Sequence, residues 1–251
     1  MKMKYLTVES QGNIAVVKIS RAAQLNALNQ EVLQELLTYL HQVELDKRYQ
    51  ALILTGDGDK AFIAGADIKE MSTMSNHEIL QFCSLGQEVA DALESASFLT
   101  CAAVQGYALG GGFEMALACD YIFASHEAKF GFPEVSLGII PGFGGTQRLL
   151  RTVGTRLAKE LIISGKTIDG KKALELHIAN RLCDKANLIQ ECSHYLQSLT
   201  CHSELAIAKA KQAINDGAEM PLDVGLDLER NLFVECFNSP GRIEGFKRFL
   251  K

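Results

Sequence analysis

No apolar run in these 251 residues reaches the length needed to span a bilayer, so an integral membrane protein is not expected. The six histidines never fall into a His-Glu-x-x-His or other zinc spacing, and no structural or catalytic metal is expected. The seven cysteines (Cys83, Cys101, Cys119, Cys183, Cys192, Cys201 and Cys236) are scattered, odd in number and never in a Cys-x-x-Cys pair. That pattern suits free thiols in a reducing cytoplasm. Positive charge is also in deficit: 25 Lys and Arg against 30 Asp and Glu leave a net charge of −5. A surface for nucleic acid or an anionic membrane is therefore disfavoured. Behind the basic residues of the first five positions there is no apolar stretch, so no secretory signal is expected. Gly142-Phe143-Gly144-Gly145-Thr146 lacks both the Gly-x-Gly-x-x-Gly spacing and the lysine of a phosphate loop, which argues against a nucleotide cradle. Internal repeats, low-complexity tracts and heptads are missing as well.

What remains is the composition of an ordinary soluble globular chain, 47% apolar and 22% charged, long enough for one full core. Residues 5–9 and 13–19 predict a hairpin around Gly12. Asn29 is placed to cap a helix whose Val32, Leu33, Leu36, Leu37, Leu40 and Val43 form one buried stripe. Residues 51–55 and 99–104 predict buried strands, and 121–124 another. A strand at 61–63 breaks at Ala64-Gly65-Ala66, and a helix follows to about residue 95. From residue 156 onward the spacing is mainly helical, interrupted by an extended stretch at 181–183. Strands alternating with helices, then helices alone, predict an α/β core with a helical C-terminal region, changing near residue 190 without an independent second domain.

The chemistry concentrates at Gly106–Asp120, where Gly110-Gly111-Gly112 separates a strand from an apolar helix. The amides of a first helical turn are unpaired and carry partial positive charge, which suits an oxygen that becomes negative during a reaction. Tight packing would call for the same glycines. Glu114 follows within a turn, close to those amides, and Glu134 stands behind Pro133 on a second loop. The small residues 64–66 would leave the Ala66 amide accessible. Two amides on one carbonyl oxygen and two carboxylates dividing the proton work would serve addition of water to a double bond conjugated with that carbonyl. As single residues, both glutamates fit equally well as capping or surface groups.

Several stretches, in this order and spacing, resemble the enoyl-CoA hydratase (crotonase) family. They are Asn26-Ala27-Leu28, Ala64-Gly65-Ala66-Asp67-Ile68-Lys69-Glu70-Met71, Gly106-Tyr107-Ala108-Leu109-Gly110-Gly111-Gly112-Phe113-Glu114 and Phe130-Gly131-Phe132-Pro133-Glu134. Pro141-Gly142-Phe143-Gly144-Gly145-Thr146-Gln147-Arg148-Leu149 and Glu229-Arg230-Asn231-Leu232-Phe233 extend the match over nearly the whole chain. The resemblance implies a crotonase-like spiral of ββα units over residues 1–190 and a helical trimerisation region over 191–251, in a homotrimer or homohexamer. It implies an acyl-CoA thioester as substrate, with no cofactor beyond the CoA the substrate carries. By the same resemblance the amides of Ala66 and Gly111 form the oxyanion hole, and Ala66, Asp67, Ile68 and Lys69 run along the thioester and pantetheine. Ala23 and Leu25 then lie toward the adenine end. Glu114 and Glu134 match the pair that orients water and exchanges the α-carbon proton. Having both points to hydration of trans-2-enoyl-CoA. An isomerase or a methylglutaconyl-CoA hydratase is the alternative, and an RNA-binding member of the family a minor one. Phe113 and Phe132, bulky for their positions, either narrow the acyl pocket, which would favour short chains, or pack in the core. The given sequence stops at Phe249-Leu250-Lys251, so a CoA phosphate contact from a longer basic tail is either missing or lies beyond the residues given. Cys101 and Cys119 are expected to be core residues, since no histidine stands nearby to activate them.

Overall fold

A computed structural model describes residues 3–250. The start of the basic N-terminal stretch, and Lys251 at the end of the short tail, lie outside the described residues. The hairpin is β1 (Leu6–Gln11) with β2 (Ile14–Ile19), followed by α1 (Gln30–Asp46). The next unit is β3 (Ala51–Gly56), β4 (Ala61–Ile63), α2 (Ile68–Met71) and α3 (Asn76–Ser95). A third is β5 (Leu99–Val104), β6 (Tyr107–Leu109) and α4 (Gly111–Leu117). A fourth is β7 (Tyr121–Ser125) and β8 (Lys129–Gly131), then a 3₁₀ turn at Pro133–Leu137, α5 (Gly145–Val153) and α6 (Thr155–Ser164). Then come β9 (Thr167–Asp169), α7 (Gly170–Glu175) and β10 (Arg181–Cys183). Four helices follow: α8 (Leu188–Leu199), α9 (Glu204–Gly217), α10 (Leu222–Phe237) and α11 (Pro240–Phe249).

From the second unit onward each ββ pair splits between two sheets. The larger is ordered β1-β2-β3-β5-β7-β10 and the smaller β4-β6-β8-β9. The chain therefore does contain a structural repeat, although none is visible as repeated sequence. The repeat lies in the alternation of strands and helices rather than in residue identity.

Strands β3 and β5 are buried along their whole length because both faces are covered. Side chains alternate across a strand, so Leu52 and Leu54 enter the core under α1 and α3. Ile53 and Cys101 enter a second core with Phe123, where α8 contributes Leu188, Cys192 and Leu196. The expected stripe of α1 is buried throughout, and Asn29 caps it by accepting from the Val32 amide at 2.9 Å. Helix α3 opens on a Ser75/Glu78 capping box, a Ser-x-x-Glu signal that the polar composition of that stretch had masked. No helix among the described residues is long and apolar enough to cross a membrane.

Helix α9 is docked by a buried lysine. Lys211 donates to the carbonyls of Leu93 (3.3 Å) and Phe98 (3.2 Å) and to Asp120 (2.9 Å). Cys101 and Cys119 are buried, and burial pushes both thiols up, as expected of core residues.

Candidate active site

Three neighbouring parallel strands of the smaller sheet converge on one place. Ile63 of β4 pairs with Ala108 of β6, and three residues further along each chain stand Ala66 and Gly111. Leu109 of β6 pairs with Gly131 of β8, and three residues beyond Gly131 stands Glu134. In open α/β sheets the carboxyl ends of the strands are where ligands bind.

The Ala66 amide is turned outward by its neighbours. Leu28 forms an isolated parallel bridge with Ala66 by donating to Gly65 O at 2.8 Å and accepting from the Asp67 amide at 2.7 Å. A residue flanked in this way points its own N–H to the opposite side, and the Ala66 amide meets no acceptor among the described residues. Gly111 opens α4, so its amide has no intrahelical acceptor and meets no other among the described residues. A Cβ on Gly111 would stand 3.5 Å from Cδ1 of Leu28, so the residue bridged to Ala66 also packs beside Gly111.

The bridge depends on a strained turn. Leu25 and Asn26 both adopt positive φ, at 52° and 58°. Asn26 is fully buried, donates to the carbonyls of Asp57 and Ala61 at 2.9 Å each, and accepts from the Arg21 amide at 3.1 Å. These bonds hold the residue 21–28 loop against β4. Two glycines have specific reasons. Gly110 has φ 47°, and a Cβ there would meet Oε1 of Glu134 at 2.5 Å. A Cβ on Gly112 would meet the Ile63 carbonyl at 2.0 Å, so α4 could not pack against β4.

The two carboxylates are held differently. Glu114 is 1% exposed, and its Oε1 accepts from the amides of Phe143 (2.8 Å) and Gly145 (2.7 Å). Its anchor is thus the loop that leads into α5, a partner that the nearness of Glu114 to its own helix's first-turn amides does not reveal. Burial raises its pKa to about 7, against the two amide bonds that lower it, and the charge of Glu134 adds to the rise. Glu134 lies on the 3₁₀ turn that Pro133 begins. Its Oε2 is the one buried side-chain oxygen or nitrogen among the described residues without a hydrogen-bond partner. Burial raises its pKa too. A buried polar atom left unpaired is costly, and this one stands 3.6 Å from where a Gly110 Cβ would be.

The residues expected along the pantetheine and adenine form a rim beside this centre. The Ala64 amide donates to Leu25 O, which ties the Ala23 and Leu25 loop to the Ala66 segment. Ala23, Leu25, Ile68 and Lys69 are exposed on that rim. The carboxylate of Asp67 is engaged inside the protein: it accepts from Arg21 Nη2 at 3.0 Å and from the Glu70 amide at 3.3 Å, capping α2.

For Phe113 and Phe132 the structure selects packing in the core. They stack on each other at 4.8 Å, with Phe130 at 5.3 Å from Phe113, wholly inside the core. The aromatic ring at the site is Phe143, which lies 3.0 Å from where a Gly111 Cβ would be and packs edge-on against Phe82. Its loop leads into α5 and binds Glu114, a pairing that no local signal in the sequence gives. A cavity of about 1130 Å³ lies elsewhere, between α3, α5 and α9, and is lined by neither glutamate. The chemistry follows the strand ends and their unpaired groups, not that void.

The family model described as Enoyl-CoA hydratase/isomerase matches residues 9–251. The chain belongs to the enoyl-CoA hydratase/isomerase family. It is 40% identical over its full length to a short-chain-enoyl-CoA hydratase of Clostridium acetobutylicum, covering 96% of that protein. To a crotonyl-CoA hydratase of Syntrophomonas wolfei it is 38% identical, again covering 96%. A crystal structure of enoyl-CoA hydratase from Bacillus anthracis superposes with a TM-score of 0.95 at 33% identity, covering 98% of this chain and 96% of that one. The expected α/β fold of ββα units with C-terminal helices is the fold of this enoyl-CoA hydratase/isomerase family member.

Proposed function

We propose that this protein is a hydro-lyase that reversibly adds water, syn, across the double bond of a short trans-2-enoyl-CoA to give the 3-hydroxyacyl-CoA. The observation that carries the reading is the pair of buried carboxylates, one with an unpaired oxygen, beside two main-chain amides without acceptors. The names of the Clostridium and Syntrophomonas relatives support it.

The thioester carbonyl accepts from the Ala66 and Gly111 amides, so negative charge growing on that oxygen meets two fixed donors. Glu114, ionised, takes one proton from water as the oxygen attacks C3. Glu134, protonated, delivers a proton to C2 on the same face. The proton Glu114 receives and the one Glu134 loses return through solvent, so the net reaction adds one water. Burial raises the pKa of both carboxyls, that of Glu114 to about 7, and the Glu134 charge adds to the rise at Glu114. Ala66, Asp67, Ile68 and Lys69 would line the pantetheine, with Ala23 and Leu25 toward the adenine. CoA arrives as part of the substrate and no separate cofactor is required. Phe143 and Phe82 would close the acyl end, which favours short chains.

The apolar side chains exposed on α10 and α11, among them Leu222, Phe233, Phe246 and Phe249, support assembly as a homotrimer or homohexamer. The unpaired cysteines fit a cytoplasmic enzyme. Mixing the protein with crotonyl-CoA should abolish the ultraviolet absorbance of the conjugated thioester and yield 3-hydroxybutyryl-CoA. Persistence of the absorbance, or a product whose double bond has only moved, would overturn the reading in favour of a binding or isomerase role.

A further inference from the structure

Glu114 owes its orientation to the amides of Phe143 and Gly145, so whatever fixes that loop fixes the carboxylate. The loop is gripped from behind by one face of α3. Gln87 donates to Gly142 O at 2.9 Å. The Phe143 ring lies against Gly86, where a Cβ would stand 2.2 Å from it. Arg148, on α5, donates to Phe143 O at 3.3 Å, while its Nε and Nη2 donate to Glu94 Oε2 at 2.9 and 2.6 Å. Nη2 also reaches Asp91 at 2.7 Å. The guanidinium is packed so closely that a Cβ on Gly144 would meet Nη1 at 2.2 Å. Phe143 is therefore pinned at both ends of its peptide: its N–H holds Glu114 and its C=O is held by Arg148.

We infer that Arg148, locked to Asp91 and Glu94 of α3, is a positioning residue that holds the Phe143–Gly145 amides in the orientation Glu114 needs. A planar guanidinium suits the task because it grips a carboxylate and a carbonyl at once, which an ammonium on a flexible stem does less rigidly. Arg148 touches neither Glu114 oxygen among the described residues, so its effect passes through the loop and through its charge. The other charged or titratable groups felt at Glu114 are Glu134 from the 3₁₀ turn and Cys83 from α3.

The inference rests on the hydratase reading, and two measurements separate them. In crotonyl-CoA hydration, Arg148→Met should lower kcat by roughly ten- to a hundredfold, the scale of a small misplacement at a reacting group, with KM changed less than about threefold. In protein labelled with carboxyl-¹³C glutamate, with the Glu114 signal assigned by its loss in Glu114→Gln, the Glu114 titration midpoint should move up in Arg148→Met. It should return toward the wild-type position in Arg148→Lys, which keeps the charge, while kcat recovers only in part. A folded Arg148→Met with unchanged kcat and an unmoved Glu114 midpoint would overturn the inference, as would a loss confined to KM. Should Arg148→Met not fold, Glu94→Gln carries the test: a kcat loss of about threefold or more at constant KM supports the clamp, and unchanged kcat overturns it. Wild-type protein without hydratase activity would defeat the functional reading alone, since the NMR titration still tests the clamp.

Discussion

Two carboxylates flank helix α4, a buried one in its first turn and a part-buried one just past its C-terminus, and the two could hardly be treated more differently. Beyond its C-terminus, Asp120 Oδ2 accepts from the Thr100 amide (2.7 Å), the Thr100 hydroxyl (3.0 Å) and Lys211 (2.9 Å). In its first turn, Glu114 accepts from two amides and bonds to no cation, Arg148 acting on it only at a distance, and the neighbouring Glu134 leaves an oxygen unpaired. Burial raises all three pKa values, but only Asp120 has a lysine to oppose the rise. A carboxylate that the protein satisfies fully joins secondary elements. One left short of partners keeps its proton affinity for a substrate.

The contrast breaks first at Glu134. Glu134→Gln should reduce crotonyl-CoA hydration by about 10³-fold, the scale of a lost general acid or base, with no loss of thermal stability. Near wild-type turnover in that variant would remove the distinction between the two ends of α4. Asp120→Asn should do the reverse. Leaving Lys211 buried without its counter-charge should cost about 3 kcal/mol of unfolding free energy, measured in urea, while kcat per folded molecule stays within about twofold. A kcat loss matching that of Glu134→Gln would show that Asp120 belongs to the chemistry.

The pH dependence sharpens the same contrast. Hydration needs Glu114 ionised, so kcat/KM should fall tenfold per unit as pH drops below about 7. Stability should run the other way. Between the ordinary carboxylate value of 4.5 and about 7, the unfolded chain has lost the Glu114 proton while the folded protein keeps it. Stability therefore declines as pH rises through that window and levels off above it. Glu114→Gln should make this decline shallower in a series of unfolding curves, and an unchanged slope would contradict the burial argument. The smallest effect concerns the wall. Phe143→Ala should raise the preference for a C8 over a C4 enoyl-CoA by about tenfold in kcat/KM, the order expected when an apolar pocket is reshaped. An unchanged ratio would place the acyl chain elsewhere.

The strands of the larger sheet and the stripe of α1 were legible because burial imposes period and composition on them. In the smaller sheet β4 was legible from its apolar residues at a break, whereas β6, β8 and β9 were not, since three residues carry no period of their own. The loops with free amides could be read from small residues standing where strands end. What could not be read was which distant groups meet: that Phe143 and Gly145 bind Glu114, that Arg148 backs them, and that Lys211 satisfies Asp120. The Glu114 and Lys211 pairings span 29, 31 and 91 residues of sequence, and Arg148 is aimed by Glu94, 54 residues away, so tertiary packing decides them. Phe113 and Phe132 stayed ambiguous for a related reason, because an aromatic beside a site residue looks the same in sequence whether it faces the pocket or the core.

A crystal structure with acetoacetyl-CoA bound tests the central arrangement most directly. The account expects the thioester oxygen about 3 Å from both the Ala66 and Gly111 nitrogens, with Glu114 and Glu134 flanking C3 and C2. A thioester oxygen bonded to only one of those amides, or a ligand seated in the cavity between α3 and α9, would contradict it.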